Sequence, residues 1–229
     1  MSRVIQSELL NSFSFIQHGF LTRDFGKDQT KGIPVRQFCR IKQVHGNDVV
    51  VAQNEKKLEM YKQTSADSVL TQLPQIALII STADCVPLLF CDPSDEGKKV
   101  IAAAHAGWRG TAKNVAQTTV QMLQKKFHCE PKNIVVAIGP AIQECCYEVD
   151  RNVYDQISQK DFFKPIAHKE NHWMLSLPQL NGHQLMKAGV SKEHIWISPL
   201  CTACHLDQFY SYRKEGESAG RQWSFIALR

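Results

Sequence analysis

The sequence lacks any apolar run long enough for a membrane-spanning segment, and its amino terminus shows no signal-peptide pattern. A membrane helix needs about 20 predominantly apolar residues, and a secretory leader needs an apolar stretch behind basic residues. We therefore expect a cytoplasmic protein without a membrane partner. In that reducing compartment the 8 cysteines are expected to be thiols, metal ligands or core residues rather than a disulfide framework.

A strong excess of charge of one sign is also missing. The formal net charge is +5 over 229 residues, and basic residues cluster only in short pairs such as Lys56 with Lys57 and Lys125 with Lys126. A nucleic-acid-binding protein usually carries a clustered basic stripe. The composition therefore argues against a nucleic-acid partner and suits an anionic small-molecule substrate.

No Gly/Ser-rich linker, repeat or low-complexity tract interrupts the chain, so we expect a single domain over residues 1–229. Apolar runs predict buried strands at the following positions: 49–51, 76–80, 86–91, 100–104, 134–138 and 195–197. Helical spacing predicts three helices, at 111–127, 148–157 and 177–188. The alternation of the two predicts an α/β fold, a layered sandwich with a mixed sheet.

Three chemically active side chains, those of His45, Cys85 and His105, lie beside the ends of predicted strands. Zinc prefers nitrogen and sulfur ligands, and a catalytic zinc keeps three protein ligands and one exchangeable water. A second interpretation makes Cys85 a nucleophile with His105 as its base, as in cysteine hydrolases. The third is that all three are ordinary core or loop residues. Spacing alone does not choose among these interpretations.

Several charged residues are candidates for substrate binding. Arg109 stands in a glycine-flanked turn that enters a predicted helix, where backbone amides and a guanidinium favour an anion, although an ordinary turn explains the glycines equally well. Arg23 can bind a phosphate or ribose, or form a surface ion pair. Glu148 either favours a helix dipole or faces a pocket. In segment 209–226 the aromatics beside Arg213 can stack a flat ring and bind phosphate, while the same segment fits a closing hairpin.

The remaining cysteine motifs are less informative. Cys201 and Cys204, followed by a histidine, match the spacing of a c-type haem attachment site and of a zinc hairpin. Haem attachment normally implies export, and a zinc hairpin needs a second ligand pair, which no other spacing in the sequence provides. The adjacent Cys145 and Cys146 point in different directions, so a disulfide between them is not expected. We interpret Cys201 and Cys204 as structural thiols on a loop.

Taken in order, blocks of this sequence resemble the laccase-domain family, described both as multicopper polyphenol oxidases and as purine nucleoside phosphorylases. The blocks span nearly the whole chain: 42–46, 66–71, 82–87, 105–111, 138–140, 146–149, 211–213 and 220–221. The resemblance implies a single-domain α/β fold shared with toxin-type cysteine hydrolases. It also implies a zinc ion held by His45, Cys85 and His105, the trio chosen above on chemical grounds.

The activities that the resemblance implies are phosphorolysis of adenosine, inosine, guanosine and S-methyl-5′-thioadenosine, and deamination of adenosine. The expected partners are therefore purine nucleosides and phosphate. We expect Cys85 and His105 to be catalytic, Asp84 or Glu148 to move a proton, and Arg109 or Arg23 to hold phosphate. Some bacterial members are linked instead to editing of cell-wall precursors, which keeps an amide hydrolase as the alternative. A third possibility is a zinc-bearing binding partner that is not an enzyme.

The oxidase description of this family implies copper. A multicopper cluster uses His-x-His pairs, and none of the 9 histidines forms such a pair, so we expect zinc rather than copper. The sequence departs from the family's pattern at 24–28, in a longer loop at 92–99 and at 176–181. These departures leave the preferred nucleoside open and the metal trio unchanged.

Overall fold

The protein is described by a computed structural model that covers residues 4–35, 37–94 and 99–229; part of the predicted longer loop, residues 95–98, lies outside the described residues. Within them the chain forms fourteen strands and seven α-helices. The strands β1 to β14 are, in chain order, Val4–Ile5, Ile16–Leu21, Gln37–Cys39, Val49–Ala52, Ser68–Thr71, Ile76–Thr82, Val86–Asp92, Val100–Ala106, Val135–Ile138, Glu148–Asp150, Phe163–Pro165, His172–Leu175, Ile195–Ile197 and Gln222–Leu228. The helices α1 to α7 are Glu8–Asn11, Leu58–Tyr61, Trp108–Ala112, Val115–Phe127, Arg151–Gln156, Leu177–Lys187 and Tyr212–Glu215. None of the described helices combines the length and apolar character needed to cross a bilayer.

The strands form three sheets, two of them mixed. The six-stranded sheet has the order β13-β9-β7-β8-β5-β4, in which β13–β9 and β4–β5 are parallel and the other neighbours antiparallel. The five-stranded sheet has the order β1-β2-β14-β6-β3, with β3 and β6 parallel. A small antiparallel sheet, β10-β12-β11, lies apart from these two. The predicted α/β fold with a mixed sheet is confirmed.

The six-stranded sheet packs against apolar layers on both of its faces. Successive side chains of a strand point to opposite sides, so each strand contributes to two cores. On β7, Leu89 and Cys91 pack toward the five-stranded sheet, in one core with Leu78 of β6. On the opposite face Leu88 and Phe90 pack in a second core with helices α4 and α6. With both faces filled by apolar side chains, polar chemistry is left to the strand ends and the loops that follow them.

Two predicted helices differ from the structure. The helix predicted at 111–127 is divided into α3 and α4 by Asn114, which has a left-handed backbone with φ of 59°. The segment predicted as a helix at 148–157 begins as strand β10, and helix α5 starts only after Asp150, whose side chain accepts a hydrogen bond from the Val153 amide. Asparagine and aspartate favour such interruptions because their short polar side chains bond nearby backbone groups.

The closing hairpin considered for 209–226 is absent from the described fold. Tyr212–Glu215 forms helix α7, and β14 lies between β2 and β6, pairing antiparallel with both. The partners of β14 are distant in sequence, so local alternation did not reveal them. As a result, the segment before β14 is outside the sheet and reaches the edge of the site described below.

We predict that His18 makes folding sensitive to acid. Its side chain on β2 is buried, and its Nε2 accepts a hydrogen bond from the Ser7 amide at 3.0 Å, which requires an unprotonated nitrogen. Burial lowers the pKa of His18 to about 4, below its value in an unfolded chain. This contribution to stability is complete above about pH 6.5 and is lost as the pH falls toward 4, and it amounts to about 3 kcal/mol.

The measurement is urea unfolding at pH 7.5 and 4.5 for the wild type and His18→Gln, whose amide oxygen can still accept the Ser7 hydrogen bond. The variant is expected to lose less stability between the two pH values. Equal losses in the two proteins would assign the acid sensitivity to other groups.

Candidate active site

The carboxylate of Asp67, which is fully buried directly before β5, positions both histidines of the predicted trio. Its oxygens accept hydrogen bonds from the backbone amides of Val44, His45 and Gly46 at 3.2, 3.0 and 2.6 Å. Nδ1 of His105 lies 2.8 Å from Oδ1 of the same carboxylate. One buried side chain therefore fixes the loop that carries His45 and the ring of His105.

The structure brings His45, Cys85 and His105 together. His45 lies between β3 and β4, Cys85 lies between β6 and β7, and His105 belongs to β8. One ligand atom from each residue lies within 4.8 Å of the other two, and the imidazole centroids are 4.8 Å apart with the rings at 78°. His45 has a left-handed backbone with φ of 58°, held by the amide contacts to Asp67.

The electrostatics of this trio favour a thiolate. Burial alone would raise the pKa of Cys85, but the charges and hydrogen bonds of His105 and His45 lower it to about 6. Burial would lower the pKa of His105, but Cys85 and Asp67 raise it to about 9. For Asp67, burial raises the pKa and the hydrogen bonds from His105 and Gly46 outweigh that effect, so its pKa lies below the ordinary value.

The tautomer of His105 follows from its partner. An ionised carboxylate can only accept hydrogen bonds, so Nδ1 of His105 carries a proton toward Asp67. In the neutral ring this leaves the lone pair on Nε2, and such orientation by a carboxylate is typical of metal-binding histidines. A bound cation would displace the second proton of His105 and keep Cys85 as a thiolate.

Two glycines allow the backbone to approach this trio closely. A Cβ atom on Gly107 would lie 2.9 Å from Sγ of Cys85 and 3.1 Å from Cδ2 of His45. A Cβ atom on Gly110 would lie 2.9 Å from the carbonyl oxygen of Gly46. Because Gly107 has an ordinary φ of −70°, the requirement at this position is space rather than an unusual turn.

A cavity of about 700 Å³ opens beside the trio. Its charged and aromatic lining residues are Arg40, Arg109, Arg213, Arg221, Asp84, Trp108, Tyr147 and Tyr212. Such a lining combines anion binding with flat apolar surfaces. The sequence motifs indicated Arg109 and Arg213, whereas Arg40 carried no motif that could have singled it out.

The arginines of the cavity differ in how they are held. Arg213 donates hydrogen bonds to the carbonyl oxygens of Cys146 at 3.3 Å and Glu148 at 2.8 Å. Arg109 instead lies over the ring of Trp108, with Cζ 4.4 Å from the centroid, and its guanidinium donates no hydrogen bond to any described residue. Arg109 therefore has its donors available for an anion.

Asp84 also lines the cavity and connects three segments of the chain. Its carboxylate accepts hydrogen bonds from Oγ1 of Thr202 at 2.6 Å and from the Arg213 amide at 2.7 Å, and its carbonyl oxygen accepts the Ile142 amide at 2.9 Å. Its backbone is left-handed, with φ of 85°. Asp84 therefore fixes the loops that form one wall of the cavity.

Two predicted substrate-binding residues do not line this cavity. Arg23 forms an ion pair with Glu215 at 3.0 Å and lies over the ring of Tyr210, which matches the surface ion pair considered from the sequence. Glu148 pairs with Lys169 and lines a smaller neighbouring pocket. Their partners satisfy these charges away from the trio.

The donor set of the trio, one thiolate and two imidazoles, fits a single ion with an open coordination position. A multicopper centre needs several further imidazoles. In the described part of the chain, the other group of three or more metal-ligating side chains consists of four cysteines. The arrangement therefore suits a mononuclear site.

Residues 27–229 match the family described as Multi-copper polyphenol oxidoreductase laccase. The chain is 35% identical over 205 residues to Purine nucleoside phosphorylase YlmD of Geobacillus stearothermophilus, a match that covers 86% of this chain and 74% of that protein. It is 36% identical over 197 residues to Purine nucleoside phosphorylase of Deinococcus radiodurans, covering 86% and 72% of the two chains. The crystal structure of Bacillus licheniformis hypothetical protein YfiH has a similar fold, with a TM-score of 0.88, 27% identity and coverage of 99% of this chain and 97% of that one.

We predict that Asp67→Asn weakens metal binding by the trio. An amide cannot accept from all of these donors as the carboxylate does, and the tautomer of His105 is no longer fixed, which typically costs roughly 10–100-fold in affinity. Chelator competition measures the affinity, with Asp155→Asn on the exposed face of α5 as the matched control. Unchanged affinity in a folded Asp67→Asn protein would contradict the positioning role.

A second prediction concerns the thiol of metal-free protein. Because the pKa of Cys85 is about 6, its alkylation by iodoacetamide should reach half of its maximal rate near that pH, and His105→Gln should move the midpoint upward by removing the nearby charge. Peptide mass spectrometry follows the rate, and added zinc should protect Cys85. A midpoint near the ordinary thiol pKa in the wild type would exclude the ion pair.

Proposed function

We propose that this chain, which belongs to the Multi-copper polyphenol oxidoreductase laccase family, is a zinc-dependent purine nucleoside phosphorylase. Similar proteins at 35% and 36% identity are named purine nucleoside phosphorylases, which supports an enzyme of the transferase type. The observation that carries the proposal is the cavity beside the trio, where arginines and aromatic rings meet. Adenosine, inosine, guanosine and S-methyl-5′-thioadenosine are the proposed substrates.

The size and lining of the cavity support a nucleoside with phosphate. Its volume of about 700 Å³ falls within the range of small-molecule sites. The rings of Trp108 and Tyr147 offer flat surfaces for a purine. Arg109, with its donors available, offers the bidentate contact that suits a phosphate.

In phosphorolysis, a phosphate oxygen forms a bond to C1′ of the ribose while the bond from C1′ to the purine nitrogen breaks. The electron pair of that bond leaves with the purine, which takes up a proton, and the products are ribose 1-phosphate and the free base. We assign Arg109 to holding the phosphate against C1′, which keeps the attacking oxygen positioned for the new bond. Of the two carboxylates considered for proton transfer, Asp84 faces the cavity, so we assign that role to Asp84 rather than Glu148.

His45, Cys85 and His105 are the residues that would hold zinc, which supplies Lewis-acid chemistry when bound. Asp67 keeps the His105 ring oriented, and Gly107 leaves the space in which the three ligands converge. We propose deamination of adenosine as a second reaction of the same cavity. For that reaction Asp84 is again the group that moves a proton.

A second candidate function is supported by the spatial arrangement of Cys85, His105 and Asp67, in which the His105 ring lies between the thiol and the carboxylate. A thiol, an imidazole and a carboxylate in that order are the nucleophile, base and orienting group of a cysteine hydrolase. The lowered pKa of Cys85, about 6, suits a nucleophile as well as a ligand. The alternative is therefore an amide hydrolase acting on cell-wall precursors, and the likeness to toxin-type cysteine hydrolases stays a prediction.

The deciding experiment incubates the zinc-loaded protein with adenosine, with and without phosphate, and follows the products by chromatography. Phosphate-dependent release of adenine is expected from phosphorolysis, and inosine formed without phosphate is expected from deamination. Both should fall by at least about 100-fold in His45→Ala and Cys85→Ala, since removal of catalytic groups typically costs this much or more. Arg151→Ala, on an exposed helix, is the control and should keep full activity.

The phosphorylase and the amide hydrolase predict different results. In a phosphorylase whose phosphate is bound by Arg109, Arg109→Gln should raise the KM for phosphate far more than the KM for adenosine. Turnover of a peptide substrate that survives chelation, is abolished by alkylation of Cys85 and is accompanied by no nucleoside cleavage would replace the phosphorylase with the amide hydrolase.

A further inference from the structure

Four cysteines outside the candidate active site form a second cluster. Cys145 and Cys146 lie in a turn before β10, and Cys201 and Cys204 lie in the loop after β13. The four Sγ atoms all lie within 4.8 Å of one another. Sγ of Cys204 is 3.6 Å from that of Cys145 and 3.4 Å from that of Cys146.

These separations are close to those of thiolates around one ion. Four sulfurs placed tetrahedrally at about 2.3 Å from a zinc ion are about 3.8 Å from one another. The sulfurs of a disulfide are only about 2.0 Å apart. The spacing in this cluster therefore resembles a set of ligands more than a bonded pair.

The local backbone explains how adjacent cysteines can converge. The amides of Cys146 and Tyr147 both donate to the carbonyl oxygen of Gln143, at 3.0 and 2.9 Å, which closes a tight turn. In this turn both neighbouring sulfurs reach Cys204, although adjacent side chains of an extended chain would point apart.

The opposite pair is held in a similar way. The amides of Cys204 and His205 both donate to the carbonyl oxygen of Cys201, each at 3.2 Å. The Gln143 amide donates to Sγ of Cys201 at 3.4 Å, which links the two turns and favours a thiolate. The second pair of thiols that the sequence spacing did not provide is thus Cys145 with Cys146, and the interpretation of Cys201 and Cys204 as structural thiols on a loop stays a prediction.

We propose that Cys145, Cys146, Cys201 and Cys204 form a closed tetrathiolate site for a structural zinc ion. Four thiolates fill the coordination sphere and leave no position for substrate, which distinguishes a structural site from the open trio of the active site. Cys145 and Cys204 are exposed, so an ion can enter from solvent. The inference does not depend on the proposed reaction.

The cysteine cluster lies between two segments of the chain that lead to the wall of the cavity. The turn that carries Cys145 and Cys146 is followed directly by Tyr147, and the loop that carries Cys204 leads to Arg213, both of which line the cavity. A zinc ion would cross-link these two segments beside the hydrogen bond from Arg213 to the Cys146 carbonyl. Its loss is expected to loosen that wall without removing a residue that touches substrate.

The test measures zinc per chain by plasma mass spectrometry in full-length protein purified without chelator. We expect about two zinc ions in the wild type and about one in Cys204→Ser, since each site binds one ion. His45→Ala should also retain about one, held by the cysteine cluster. Cys129→Ala, a buried cysteine outside both groups, is the matched control and should keep both ions.

Stability and covalent state provide independent readouts. Cys204→Ser should unfold at a lower temperature than the wild type, and chelation should lower the wild-type midpoint toward that of the variant. Should Cys204→Ser fail to fold, Cys145→Ser at an exposed position and the zinc content of His45→Ala decide the question. The proposal is overturned by zinc loss in His45→Ala to near zero, by iron in place of zinc, or by a mass deficit of two hydrogens that shows a disulfide among these cysteines.

Discussion

The buried carboxylate of Asp67 is held by three backbone amides of the 44–46 loop and by the imidazole of His105. A carboxylate without partners in this position would cost several kcal/mol, since it has lost its hydration. The loop, the strand that carries His105 and the carboxylate therefore stabilise one another. Because His45 and His105 depend on the same side chain, the geometry of the trio is set by the interior of the protein rather than by the ligands themselves.

The fold places this interaction where chemistry is possible. Both faces of the six-stranded sheet are filled by apolar side chains, so the reactive groups gather at strand ends and in the loops beyond them. Asp84 then ties the segments at Ile142, Thr202 and Arg213 to the turn between β6 and β7. The cavity is the space between these segments and the trio.

Some features of the fold and of the candidate site could be predicted from the sequence, and others could not. The trio could be predicted because each member lies close to an apolar run: His45 before one, Cys85 between two and His105 directly after another. Asp67 could not be singled out in the same way, because its partners are backbone amides, which any residue type provides. The pairing of Arg23 with Glu215, and that of the two cysteine turns, joins segments far apart in the chain, so spacing rules that act over short windows did not detect them.

The missing side chain of Gly107 has a further consequence for selectivity. On that side the sulfur of Cys85 and the ring of His45 are bordered by backbone atoms, with no room for even a methyl group. Backbone cannot change rotamer as a side chain can, so this boundary is rigid. An ion that prefers longer bonds to Cys85 and His45 would therefore require the strand-to-helix connection at Gly107 to move.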